Sequence, residues 1–376
     1  MGAATAYHLL AYHPRLAVGV VERDPSYRHS STVLSDGNVR IQFNLEENIR
    51  MSLYAMSALD DFGDRMTVGG WRPEPSPRKQ GNLFLTDAGG QAAAEQGLAK
   101  QRALGCEVEW LERGEIAERF PAYAGANYLG GTFGPDDGSV DPNAVLQGYV
   151  RRSRADGAVF IHATATAVSA KRGKVLGVEL DDGRSLSAPI VVNAAGAWCA
   201  ELARTIGVDL PVEPVMRTVY TMDTEVDAVG LPSVFLPSGL YVIPEHGRRF
   251  VCGWSQPDDP VTFDFTFNRE RFFDLFWPEL GRQLPVFEAL HLAGGWTGLY
   301  EVNRLDENGI IGEWPEVAGF YLANGFSGHG FQQCHAVGRH LAELILGRVP
   351  SLDLLRLSPQ RVLDHQPVYE NTGRII

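Results

Sequence analysis

Three turns built from glycine and other small residues constrain this chain more than any other feature. "VVNAAGAWCAEL" (191–202) places such a turn directly after an apolar, strand-like run. "ANGFSGHGFQQCHAVGRHLAELI" (323–345) puts three glycines ahead of a helix-like apolar pattern. The chain itself opens on "MGAATAYHLL", a glycine and small residues leading into an apolar helix face. Small residues let backbone come close to a flat or charged ligand. A helix start behind them offers free N–H groups and the positive end of a dipole. Strand, small-residue turn and helix in succession are what a cofactor crevice in an open α/β sheet requires.

The opening reads as the second half of a dinucleotide fingerprint. Gly2 leads a helix over 3–11, and "LAVGVVER" (16–23) is a continuous apolar run closed by charge, which suits a buried parallel strand. Glu22 ends that run at the spacing of about 20 residues expected for the acidic residue that binds a ribose. Asn44 precedes Glu47 by three residues, a capping-box pattern for a helix with Ile49, Leu53 and Met56 on one face. "GGWRPEPSPRKQ" (69–80) is a proline-rich break that suits a domain crossing. A helix over 141–158 then leads back to strands at 159–168, 173–188 and 190–196, with an Asp-Asp-Gly turn inside the second. Residues 211–300 are mostly β in pattern, with one helix near 268–281, and 319–325 form a last strand.

With 376 residues the chain is long enough for two domains, and its net charge of −13 argues against a nucleic-acid partner. Four cysteines lie far apart with no CxxC spacing, which suits free thiols in a reducing compartment and predicts no metal site. No run of about 18 apolar residues predicts a membrane span, so the default expectation is a cytoplasmic protein.

"ERDPSYRHSSTVLSDGNVRIQF", "NAAGAW" and "GFSGHGFQQ", in that order, resemble the glycine oxidase, sarcosine oxidase and D-amino acid oxidase superfamily of FAD-dependent enzymes. The likeness runs over almost the whole chain and is greatest toward the branch of the FAD-dependent oxidoreductase domain-containing proteins. It implies an α/β fold: a Rossmann-like FAD-binding domain of glutathione-reductase type, interleaved with a mostly antiparallel sheet substrate domain. The FAD-binding domain would take 1–70, 141–210 and 301–376, the substrate domain 71–140 and 211–300. The sequence departs from the family at its start, where a strand and GGGxxGxxxA are normal and only "MGAATA" stands. Either the start was assigned too far downstream or the chain is truncated with weakened FAD binding; the intact remainder of the site favours the first.

The resemblance assigns roles residue by residue. Gly2, Ala194, Ala195 and Gly196 would pass close to the FAD, with Trp198 packed nearby. Glu22 would bind the adenosine ribose, Arg23 would flank the adenine, and the backbone of Val168 would meet it. Ser30 and Ser31 would contact the phosphates. Gly328, His329, Gly330 and Phe331 would lie at the flavin, where a helix start stabilises negative charge on the reduced ring. Arg40 would pair with a substrate carboxylate; Tyr241 would be a pocket wall or hydroxyl donor, and His329 an acid–base residue or a structural hydrogen-bonding group. Arg217 and Arg304 are further carboxylate candidates, each with a structural ion pair as its alternative. Covalent flavin is not expected, because Leu34 stands where some relatives carry a linking histidine.

The implied activity is oxidation of the C–N bond of a small amine, an amino acid or N-methylated amino acid, by hydride transfer to non-covalently bound FAD and imine hydrolysis. Oxygen or an electron carrier would reoxidise the flavin. The alternative is a non-catalytic assembly or binding protein that keeps the flavin fold for its surface.

Overall fold

The computed structural model describes residues 1–125 and 127–370. The elements that shape the site are α1 (Gly2–Tyr12), β1 (Gly19–Glu22), α2 (Glu46–Asp60), β2 (Val159–His162), β3 (Val191–Asn193), β4 (Ile310–Glu313), β5 (Phe320–Asn324) and α3 (Gly330–Ile345). β1 pairs in parallel with β2, from Gly19 opposite Val159 to Glu22 opposite His162. β3 pairs in parallel with β5, whose other edge carries β4 antiparallel. The parallel sheet is therefore in two pieces. Among the described residues no strand pairs with the second edge of β1 or of β3.

This explains why the apolar run at 16–23 yields a strand of only four residues. Val20 and Val21 are half-buried rather than buried, because β1 has a neighbour on one side alone. The core of this part instead gathers around α3, which buries almost every residue from Gln332 to Glu343 against α1, α2 and the β3–β5 strands. α1 and α3 meet at Gly338, where an added Cβ would stand 2.8 Å from the Ala4 carbonyl carbon. Glycine there permits the close crossing that sets the two helix starts side by side.

The second part is one eight-stranded mixed sheet. Its order is Leu290–Asn303, Val212–Thr224, Arg249–Gly253, Tyr241–Pro244, Ser233–Phe235, Asn82–Thr86, Gly130–Gly134 and Glu109–Glu112. Its core is aromatic, with Tyr123, Phe250, Phe272, Phe276 and Phe287 almost fully buried. The hairpin at Asp-Asp-Gly forms as expected, joining Lys174–Leu180 to Ser185–Ser187.

Two local expectations are corrected. α2 does not start in a capping box: the Asn44 side chain donates to the Ala93 carbonyl instead, pressed against Gly97. The entry to α2 is served by Glu370, whose carboxylate accepts from the N–H groups of Asn44 at 2.6 Å and Leu45 at 3.1 Å. A carboxylate from the far end of the chain thus meets the positive end of the α2 dipole. The helix near 268–281 is irregular, a π-turn over Phe272–Phe276 followed by an α-helix over Trp277–Gln283. Among the described residues no helix is long and apolar enough to cross a membrane.

Candidate active site

A cavity of about 1290 Å³ runs between the two parts, from the open edges of β1 and β3 to the face of the large sheet. That exceeds the ~300–1,000 Å³ usual for a drug-sized ligand. Gly2 and Ala194 face each other across its wall, with 3.6 Å between an added Gly2 Cβ and the Ala194 methyl. Ala195 and Gly196 continue the turn; the Asn193 side chain accepts from the Ala195 N–H at 3.2 Å and donates to the Cys199 carbonyl at 2.9 Å. On the opposite side Gly328, His329, Gly330 and Phe331 line the cavity at the start of α3. Gly328 has φ 106°, a conformation that a residue with a Cβ rarely adopts. The sharp turn brings the free N–H groups of the first helical turn to the cavity wall.

At one end stand Glu22, Arg23 and Trp198. Burial raises the Glu22 carboxyl above the usual range, against an N–H bond from Asp24 of 2.9 Å. The Arg23 guanidinium lies 3.4 Å over the Trp198 ring, which stacks in turn on Phe263. Arg23 is thus held on protein aromatics by a cation–π contact, the contact through which it reaches the cavity wall. Ser30 and Ser31 also line the cavity; Ser30 Oγ accepts from the Val33 N–H, and Ser31 Oγ donates to the Leu299 carbonyl at 2.7 Å.

Val168 does not reach this space. Its side chain is buried in an apolar core cluster, and its N–H donates to Thr205 Oγ1 at 3.0 Å. Ala163, Thr164, Ala165 and Thr166, which lead into and open the same strand, line the cavity instead.

The other end is built around Arg40, which is 6% exposed. Its guanidinium lies 4.7 Å from the Phe43 ring, 5.5 Å from Phe84 and 6.0 Å from Phe235. No ion pair among the described residues includes it. Asp137 and Glu370 attract it, yet both are engaged elsewhere, Asp137 by Ile41 N–H and Gln42, Glu370 by the α2 entry. Gln332, in the first turn of α3, clamps the Arg40 backbone: Arg40 N–H donates to Oε1 at 2.7 Å and Nε2 donates to the Arg40 carbonyl at 3.2 Å.

Tyr241 lines the same end, and its hydroxyl donates to the Asp36 carboxylate. Burial first, then the Asp36 charge, holds the Tyr241 phenol well above its ordinary pKa. Burial brings the Tyr300 phenol to about 12. His329 is buried edge-on to Phe43, and burial with the neighbouring Arg40 charge takes it down to about 3. It is therefore a neutral imidazole at physiological pH, with Nε2 buried and without a partner. That state suits a hydrogen-bonding group rather than a proton shuttle. Arg217 reaches the cavity wall but is ion-paired with Asp259, which also holds Arg271; Arg304 pairs with Glu213 at the surface. Both take the structural alternative.

The expected residues thus meet at one cavity, Val168 and Arg304 excepted. Asp36, Tyr300, Glu301 and Gln332 were not expected there. Asp36 sits four residues before Arg40 in a loop with no periodicity to read, and Tyr300-Glu301 lies within a long strand, where nothing in the residues marks a cavity wall.

The family described as FAD dependent oxidoreductase matches residues 1–344. The chain belongs to that family. It is 31% identical over 410 residues to the FAD-dependent oxidoreductase domain-containing protein 1 of Xenopus laevis, covering 98% of this chain and 82% of that protein. It is 28% identical over 263 residues to the glycine oxidase of Geobacillus kaustophilus, covering 69% and 67%. Among solved structures, L-proline dehydrogenase from P. horikoshii superposes with a TM-score of 0.85 at 23% identity over 97% of this chain and 96% of that one, which is a likeness of fold. The chain is an FAD-dependent oxidoreductase, related to amino acid and N-methyl amino acid oxidases.

The residues present fit that cofactor. Apart from the volume and the helix start, the cavity wall carries polar atoms that are buried without partners: His329 Nε2 and Glu301 Oε2. Buried polar atoms are normally paired, so such a group along one cavity marks where ligand atoms belong.

Proposed function

We propose that this oxidoreductase oxidises the C–N bond of a small amino acid or N-methylated amino acid. The single observation behind this is Arg40: a buried guanidinium in an aromatic surround, facing the cavity, with no carboxylate among the described residues paired to it. A planar guanidinium in that condition is matched by a ligand carboxylate, which it can engage bidentately. The name of the glycine oxidase relative supports the same substrate class.

In this reading Gly2, Glu22, Ser30, Ser31, Ala194–Gly196 and the start of α3 hold the FAD, with Arg23 and Trp198 closing one end. The FAD-binding domain comprises 1–70, 141–210 and 301–376, and the substrate domain 71–140 and 211–300. FAD held there would supply the hydride acceptor for oxidation of the carbon next to nitrogen, and the imine product would be hydrolysed by water. Arg40 orients the substrate by its carboxylate, Gln332 fixes Arg40, and Tyr241 and Tyr300 wall the compartment. The α3 dipole favours negative charge beside Gly328–Gly330. With Leu34 in place of a linking histidine, the FAD is dissociable.

The test begins with the visible spectrum of the purified chain before and after denaturation, then a panel of glycine, N-methylglycine and L-proline added without oxygen. Bleaching of released-on-denaturation FAD by at least one of them is the expected result. Full FAD loading with no bleaching by any amine sinks the catalytic reading in favour of a flavin-fold binding protein.

A further inference from the structure

Arg40 recognises only half of an amino acid. At neutral pH the substrate also carries an ammonium group, and an ammonium has no lone pair with which to expel a hydride from the neighbouring carbon. Its proton must leave first, and something in the compartment must receive it. Neutral His329 stands beside Arg40 and is down to about 3, too weak a base to hold that proton.

Asp36 lines the same end of the cavity, four residues before Arg40. Its Oδ1 accepts from the Asn38 N–H at 3.0 Å, which fixes the carboxylate, and the Tyr241 hydroxyl donates to it. Tyr300 and Arg40 both lie within its field. No ion pair among the described residues includes Asp36, so it and Arg40 share a compartment without neutralising each other. Of the other carboxylates of the wall, Glu22, Asp24 and Glu201 belong to the end around Arg23 and Trp198, and Glu301 faces the turn at Gly325 and Phe326. One unpaired cation and one unpaired anion facing a common space are complementary to a zwitterion.

We propose that Asp36 is the subsite for the substrate's amine and takes its proton before oxidation, making the site selective for amino acids over carboxylates without nitrogen. This rests on the amine-oxidising reading above. In the step, one N–H bond of the ammonium breaks with its electron pair left on nitrogen, and an O–H bond forms on the Asp36 carboxylate. The products are a neutral amine and a carboxylic acid, and no oxidant takes part. Burial raises the Asp36 carboxyl above its ordinary value, which strengthens it as a base, while the positive charge of Arg40 offsets part of that rise and favours the neutral amine. The charged and titratable groups facing Asp36 are Arg40 from its own segment and Tyr241 and Tyr300 from two strands of the large sheet.

The experiment measures binding by calorimetry, without oxygen, on the FAD-loaded chain and on the chain stripped of FAD. Glycine, N-methylglycine and L-proline are each compared with a nitrogen-free acid of similar shape: acetate, propionate and cyclopentanecarboxylate. Asp36→Asn keeps the acceptor for Asn38 and the partner for Tyr241. It is expected to weaken the amines by about tenfold or more while leaving the acids unchanged or tighter. Asp36→Glu restores part of the preference. The rate of anaerobic flavin bleaching rises with pH to a plateau in the unaltered chain, and Asp36→Asn moves that rise upward. Equal weakening of amines and acids, or no change in the pH profile, overturns the proposal. Should the variants fail to fold, the unaltered chain still decides: acetate must bind more tightly as pH falls and take up a proton on binding, and a flat response overturns it. If the unaltered, loaded chain binds and is bleached by no amine at all, the parent reading fails; if it is bleached but Asp36→Asn behaves identically, only the role of Asp36 fails.

Discussion

Gly338→Ala sets two helix energies against each other. Inside a helix, alanine is favoured over glycine by about 1 kcal/mol, so the substitution alone would stabilise α3. The added Cβ, however, would stand 2.8 Å from both the carbonyl carbon and the Cβ of Ala4 and 2.9 Å from the Thr5 nitrogen. These are main-chain atoms and a methyl group of α1, with no flexible side chain to swing aside, so the helices must separate by several tenths of an ångström. Overpacking of that kind costs about 1–3 kcal/mol. The net expectation is a loss of up to about 2 kcal/mol, or a fall in melting temperature of up to about 2–3 °C for a chain of this length. Because α1 and α3 each bring their starts to the cavity, the affinity for FAD falls as well. Gly114 provides the control: it lies in the helix Arg113–Arg119, and an added Cβ there meets nothing within 4 Å. Gly114→Ala is expected to leave the melting temperature unchanged or raise it. Thermal melts of both variants, with and without FAD, decide the matter. A Gly338→Ala chain that melts at or above the unaltered protein refutes the close-crossing argument.

Arg40→Met is expected to lower kcat/KM for an amino acid substrate by on the order of 10²–10³-fold with FAD content retained, and Arg40→Lys to recover only part, because one ammonium cannot reproduce a bidentate fork; anaerobic stopped-flow reads both. Glu370→Ala removes the acceptor at the α2 entry and leaves Asn44, Leu45 and Asn48 donors without it, which costs about 1–3 kcal/mol in urea unfolding. Asp137 is fully buried with its carboxyl raised to about 7. Between the ordinary carboxylate value of about 4 and that point, the folded chain holds a proton that the unfolded chain has released. Its contribution to stability is therefore greatest at low pH and is lost as pH rises toward 7, and Asp137→Asn flattens that slope in denaturation curves taken across the window.

What the sequence disclosed were features written in local residue types. The small-residue turns at 2, 194–196 and 328–330 announce themselves because only such residues suit a strand-to-helix turn at a ligand, and all three line one cavity. Arg40 stood out as a charge in an otherwise apolar segment. Features that depend on a distant partner were not legible. Glu370 serves the entry of α2 from more than three hundred positions away, so the local Asn44–Glu47 spacing suggested a capping box that tertiary contacts override. For Arg217 the sequence offered a structural ion pair as the alternative to a substrate role but not its partner, Asp259, which comes from a neighbouring loop. The Val168 backbone was placed at the cofactor by resemblance alone; in the fold its N–H donates to Thr205 Oγ1, and Ala163–Thr166 line the cavity. Asp36 was missed because a loop has no period, and its importance comes from Tyr241, two hundred residues on.

The edges of β1 and β3 that pair with no strand among the described residues line the same cavity as the cofactor residues. Strand edges of this kind are templates for an added strand, typically ~5–6 residues long. An extended segment hydrogen-bonded between them would stand beside Gly2 and the turn at Ala194, where the ligand's own contacts lie. Among the described residues, backbone hydrogen-bonding groups of β1 and β3 thus stand open at the cavity beside the small-residue turns, so the polarity of that wall is set by main chain as well as by side chains.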